Sequence, residues 1–117
     1  MTHVMLKTEH MAATIAWYER AGFEVTGRFP DVGEPTWIEV GRDDVTLQFL
    51  AGETPWPGEP TLTGTIYVHP PSVRSLHGEI RDEIEPAWGP EVRDWGMLEM
   101  GLRDPNGYFL TFTEPAE

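Results

Sequence analysis

The side chains that could recognise a ligand recur two residues apart. Trp37 and Glu39 do so in TWIEV, Thr46 and Gln48 in VTLQFL, and Thr65, Tyr67 and His69 in TIYVH. The same spacing holds for Met97 and Glu99 in MLEM and for Phe109, Thr111 and Thr113 in FLTFT. In an extended chain successive side chains point to opposite sides, so each group shares one face of a strand. An indole beside a carboxylate can stack a planar cation and neutralise it. Phenol, amide and hydroxyl groups orient a ligand but supply neither a strong base nor an electrophile. No G-x-S-x-G, P-loop or H-E-x-x-H motif is present, and a chain without cysteine has no thiol nucleophile, disulfide framework or zinc ribbon. These residues suit binding rather than bond making, and no catalytic residue is assigned.

Alternate residues in the same stretches are apolar: Val4 and Leu6, Ile38 and Val40, Val45, Leu47 and Phe49, Ile66 and Val68, Leu98, Met100 and Leu102, Leu110 and Phe112. They are expected to pack beneath helices. The opposite face, which also carries His3, Met5 and Lys7, lacks the Lys/Glu richness of a solvated face. Its Thr, Gln, His, Tyr, Trp and Met content suits a concave, half-buried surface holding a ligand or a second subunit.

The order of signals repeats on either side of AGETPWPGEP (Ala51 to Pro60), a connection with three prolines and two glycines in ten residues. The first half predicts a strand at His3–Lys7, a helix at Ala12–Ala21 stopped by Gly22, and strands at Phe23–Arg28, Thr36–Val40 and Asp44–Leu50. The second predicts a strand at Thr63–His69, a helix at Ser72–Glu83, a weak strand at Glu85–Trp88, and strands at Met97–Arg103 and Tyr108–Thr113. Each half is β-α-β-β-β, a repeat of roughly 50 residues that cannot bury its sheet alone. The expectation is a single α+β domain with module one at 1–50, a linker at 51–62 and module two at 63–117.

Twenty acidic against eight basic residues give a formal charge of −12 in 117 residues. That field repels polyanions, so neither nucleic acid nor an anionic membrane surface is an expected partner. No apolar run approaches the roughly 20 residues of a membrane span, and the opening MTHVMLKTEHM lacks a secretory layout. A soluble cytoplasmic protein is expected.

The paired modules, the opening HVMLKTEHMAATIAWYERAGF and the closing RDPNGYFLTFTEP resemble the vicinal oxygen chelate superfamily of glyoxalases, extradiol dioxygenases and bleomycin-resistance proteins. The resemblance runs from His3 to Pro115. It implies two βαβββ modules whose curved mixed sheets form a cup, in a dimeric protein. In metal-dependent members a His on the first strand, a Glu on the fourth, a His or equivalent on the fifth and a Glu on the eighth hold a divalent ion. Those positions fall here on His3, Gln48, Thr65 and Thr111, so His3 alone matches and no metal or other cofactor is expected.

Bleomycin-resistance proteins resemble this chain in finer detail, through RDDVTL at the end of the first half and Trp95-Gly96 ahead of LRDPNG. They hold a cationic, partly planar ligand between subunits, and the resemblance places stacking aromatics at Trp37 and near Trp95. The expected function is metal-independent binding of a small cationic or planar molecule by a homodimer, as in drug sequestration. Expected ligand contacts are Trp37, Glu39, Gln48, Thr65, Tyr67, Trp95, Glu99, Phe109 and Thr111. The alternatives are a metal-dependent lyase, isomerase or dioxygenase with an atypical centre at His3, and a catalytically silent accessory subunit. Trp17 and Tyr18 are read as core, and Trp56 and Trp88 as shields of core edges or contacts to a partner chain.

Overall fold

The structure is a computed structural model that describes residues 3–117; the first two residues of module one lie outside the described residues. Strands β1 (Val4–Thr8), β2 (Glu24–Phe29), β3 (Trp37–Arg42) and β4 (Val45–Ala51) form one sheet in the order β1-β4-β3-β2. Strands β5 (Thr65–Val68), β6 (Trp88–Val92), β7 (Met97–Arg103) and β8 (Phe109–Pro115) form a second, in the order β5-β8-β7-β6. Helix α1 (Met11–Arg20) crosses from β1 to β2, and α2 (Val73–Ile80) crosses from β5 to β6. In each sheet the first and last strands run parallel and the remaining pairs antiparallel. The two β-α-β-β-β units and their mixed sheets are therefore the fold that the sequence predicts.

The helix limits follow local chemistry. Gly22, at φ +90°, adopts the left-handed conformation that closes α1 without steric cost. At α2, Ser72 Oγ accepts from Ser75 N at 3.1 Å, while the Glu114 carboxylate accepts from Val73 N at 2.7 Å. Glu114 thus neutralises the helix N-terminus and does not join the open face. The helix stops at Ile80, three residues short of the expected end, and residues 81–83 form a turn.

The core lies between helices and sheets. Leu6, Ile38, Val40, Leu47, Phe49, Val68, Leu98, Met100, Leu102, Leu110 and Phe112 are buried with Tyr18, Phe23, Val73, Leu76 and Ile80. Val4 departs from the expected apolar set: it is exposed, because α1 begins only at Met11 and leaves the start of β1 uncovered. Trp17 packs partly buried against the core and Tyr18 is fully buried, as expected. The weak strand expected at Glu85–Trp88 instead occupies Trp88–Val92. Pro86 lacks the N–H a ladder needs, whereas Pro90 falls within a register shift of an edge strand, where proline is tolerated.

Polar clasps join the modules. Asp104, in the turn between β7 and β8, is 3% exposed. Its carboxylate accepts from Tyr18 Oη at 2.7 Å, from Tyr108 N at 2.9 Å and from Asn106 N at 2.8 Å. Burial pushes the Asp104 carboxyl above its ordinary range despite these donors. Asn106 also reaches Thr8 and Thr14, and Tyr108 Oη donates to Lys7 O at 2.6 Å. On another surface the Asp44 carboxylate receives both His69 N at 3.1 Å and His69 Nδ1 at 2.6 Å. His69 thus fastens the end of β5 to the start of β4.

Candidate ligand-binding faces

Strand register assembles the predicted contacts into rows on the sheet faces turned away from the helices. In the first sheet Met5, Gln48, Glu39 and Gly27 lie side by side across β1, β4, β3 and β2. Lys7, Leu50, Trp37 and Phe29 form the neighbouring row. In the second sheet one row is Tyr67, Thr111, Gly101 and Trp88, flanked by Thr65, Phe109 and Arg103 and by Thr113, Glu99 and Glu91. The nine expected contacts therefore divide into two groups, Trp37, Glu39 and Gln48 on one sheet and the other six with the second.

The first group is partly exposed and its carboxylate is held in place. Glu39 Oε1 accepts from Thr26 Oγ1 at 2.8 Å and Oε2 from Gln48 Nε2 at 3.1 Å. The Gln48 amide donates to the charged form, with Thr26 adding to it, and together they hold the Glu39 carboxyl below its ordinary range. Gln48 Nε2 also lies 3.4 Å from His3 Nδ1. The Trp37 ring lies against Gly27, where a Cβ would come within 3.1 Å of two indole carbons. The result is a half-buried indole beside a fixed carboxylate whose hydrogen-bond donors are neutral groups.

The second group is more closed than the sequence predicts. Glu99 is 3% exposed, so it is neither at a solvated rim nor an open charge. Its Oε2 accepts from Trp95 Nε1 at 3.2 Å and Thr113 Oγ1 at 3.0 Å. Arg93 lies 3.9 Å from its other oxygen and 5.8 Å from the centroid of the Trp95 ring. Trp95 remains 63% exposed, held at its N–H and covered on one side by a guanidinium. Thr65 Oγ1 donates to Phe109 O at 3.1 Å, so its one proton is committed and Thr111 Oγ1 donates to it at 2.7 Å. Thr111 is buried, whereas Thr65 and Phe109 are half-buried and Tyr67 is exposed.

Thr26 and Arg93 join these faces without having been singled out by the sequence, and Thr113 and Trp88 join them although neither is among the nine expected contacts. The register shift between Val25 and Gly27 carries Thr26 to Glu39, and alternation alone does not reveal such a shift. For Trp88 a signal existed: Gly101 sits within strand β7 between Met100 and Leu102, and a strand glycine marks close approach of another group. The indole of Trp88 fills that space, 5.7 Å from the Phe109 ring.

The positions at which the superfamily binds metal do not suit a divalent ion. Gln48 lies on the first sheet with His3 just ahead of β1, while Thr65 and Thr111 bond to each other on the second. An amide and two hydroxyls offer no anionic donor. Among the described residues no three His, Asp or Glu side chains are grouped to hold a metal. Four clefts lie apart from the predicted contacts. One of about 510 Å³ lies at the start of α2 and is lined by Arg74, Val92, Leu98 and Glu114 among others. Clefts of about 280, 370 and 310 Å³ likewise include none of the nine residues. Of the nine, Glu99 and Thr111 are buried and the other seven are at least partly exposed on the sheet faces or their edges.

This architecture is the glyoxalase/bleomycin-resistance fold of the vicinal oxygen chelate proteins. TioX from Micromonospora sp. ML1 superposes with a TM-score of 0.79 at 17% identity, over 97% of this chain and 97% of that one. A glyoxalase/bleomycin resistance protein/dioxygenase from Nocardioides superposes at 0.74 with 19% identity, over 99% of this chain and 83% of that one. A bleomycin-binding protein complexed with bleomycin superposes at 0.69 with 23% identity, over 97% of each chain. No protein-family model and no curated protein matches the sequence. No helix among the described residues is long and apolar enough to cross a membrane.

Proposed function

We propose that this protein binds a small planar cation without a metal ion, on sheet faces that a second copy of the chain encloses. The observation that carries this reading is the Trp37–Glu39 pair: a half-buried indole adjoins a carboxylate whose two oxygens are oriented by Gln48 and Thr26. Stacking and charge neutralisation then act on the same ligand, and the carboxylate needs no rearrangement to receive it. The fold is shared with a protein that holds bleomycin, which supports a drug-like ligand with a planar cationic portion. Exposed Phe29, Val32, Val92 and Trp95 near the strand ends support enclosure by a homodimer.

Titration of the protein with bleomycin, followed by tryptophan fluorescence, tests the proposal. Saturable quenching is expected, weakened about 2- to 30-fold in Trp37→Ala, the equivalent of about 0.5–2 kcal/mol for a cation over an indole. Glu39→Gln should weaken cationic ligands and leave neutral planar ones unchanged. Quenching that neither variant alters places the ligand elsewhere and refutes this assignment.

A further inference from the structure

Trp88, a half-buried residue, departs from the other aromatic side chains whose polar tips find partners. Tyr18 donates to Asp104, Tyr108 donates to Lys7 O, and Trp95 donates to Glu99. Trp88 Nε1 is buried and has no acceptor among the described residues. Two other buried nitrogens lack hydrogen bonds, Arg20 Nε and Arg93 Nε, yet each lies within an ion pair. The Trp88 indole occupies the row of Tyr67, Thr111 and Gly101, on the face that carries six of the nine predicted contacts. A Cβ at Gly101 would lie 2.1 Å from indole carbon Cε2, so the ring rests directly on the strand.

The backbone around the ring is fixed by hydrogen bonds, while the ring is held by packing alone. Ala87 N donates to Gly101 O at 2.8 Å, and the register shift begins immediately after Trp88. The bulge aims the indole inward. Its aromatic neighbour, Phe109, is 5.7 Å away at a tilt of 31°. Leaving the seat loses that contact but gives the N–H an acceptor, from water or from a ligand.

We propose that Trp88 is a displaceable plug that determines which ligands reach the second sheet. In the free protein its indole fills the space above Gly101, and a ligand entering there must lift it. The entering ligand carries a hydrogen-bond acceptor at its edge, which the released N–H can meet. This inference rests on the open faces being the ligand site. A closed majority state lowers apparent affinity by the fraction of molecules in the open state, so removing the plug strengthens binding.

The test uses full-length protein with ¹⁵N-labelled tryptophan, and bleomycin as the probe. The Trp88 indole signal is assigned by its loss in Trp88→Phe. In the free protein its N–H should exchange with solvent at least about tenfold faster than the slowest amides of β7 and β8, after correction for intrinsic rates. Exchange only at the rate of those amides means the ring leaves its seat by global unfolding, and overturns the plug. Gly101→Ala, whose backbone conformation suits alanine, expels the ring and should raise bleomycin affinity about 3- to 10-fold. Unchanged or lower affinity in a folded Gly101→Ala protein shows that the ligand needs the seated ring and overturns the proposal. Failure of the wild-type protein to bind bleomycin refutes the proposed ligand class instead, and the exchange measurement still decides the plug.

Discussion

Replacing Tyr18 with phenylalanine removes one oxygen from the centre of the molecule and nothing else. The ring keeps its edge contacts with Trp17 and Phe23 at 4.8 and 5.0 Å and its tilted contact with Phe49 at 5.0 Å. What is lost is the 2.7 Å donor to Asp104 Oδ2. The remaining donor to that oxygen is Asn106 Nδ2 at 3.4 Å, while both short backbone bonds go to Oδ1. A hydrogen bond to a charged group contributes about 1.5–3 kcal/mol, and a buried carboxylate oxygen left short of donors costs the upper part of that range. For a domain of this size the equivalent fall in melting temperature is about 5–15 °C.

The assay is urea unfolding followed by circular dichroism, repeated across pH. Burial raises the folded-state pKa of Asp104, so its protonation favours folding; that contribution is complete below the ordinary aspartate range and lost as pH rises through the raised value. Removing the tyrosine donor raises the folded value further. The cost of Tyr18→Phe should therefore be largest near neutrality and shrink once the carboxyl is protonated. A cost below about 0.5 kcal/mol at neutral pH, or one that does not change with pH, refutes the claim that Tyr18 satisfies a buried carboxylate.

Light scattering at micromolar concentration should give about twice the chain mass of 13.2 kDa; a monomer at every concentration would remove the second copy from the proposed site. Protein exposed to nickel, zinc, manganese or iron and then desalted should retain well under one equivalent, whereas stoichiometric retention abolished by His3→Ala would favour a metal centre. The Glu39 carboxyl is held low chiefly by Gln48, so binding of a permanently charged cation should persist as pH falls through the ordinary glutamate range and fail only below it. In Gln48→Leu the pH midpoint of binding should move upward, and an unmoved midpoint would show that the amide does not tune the acid.

The order of elements and most core positions were legible because strand alternation and helical spacing are repeated in two halves, so each supported the other. Ile38, Val40, Leu47, Phe49, Met100, Leu102, Leu110 and Phe112 lie where alternation assigns them. The same alternation placed Glu39 and Glu99 on open faces, but it cannot tell a carboxylate bonded at a half-buried surface from one roofed by Trp95 and Arg93. That distinction depends on which side chains fold back across a sheet. Two register shifts, at Val25/Gly27 and Trp88/Glu91, displaced Thr26 and Trp88 from simple parity. Tyr18 read as an ordinary core aromatic because its partner, Asp104, stands 86 residues further along the chain.

That separation bears on how the protein is made. Thr8, Thr14, Tyr18 and the carbonyl of Lys7 belong to the first module, yet their partners Asp104, Asn106 and Tyr108 lie 86 to 101 residues downstream. At about 5–20 residues per second, a ribosome needs several seconds to add the intervening chain. During that interval Tyr18 has no carboxylate to receive its proton, Phe49 lacks the Tyr108 ring, and the end of β1 has no cover. The nascent first module must keep those groups hydrated or hold them in a loosened core. Completion of the β7–β8 turn is then the event that seals both modules.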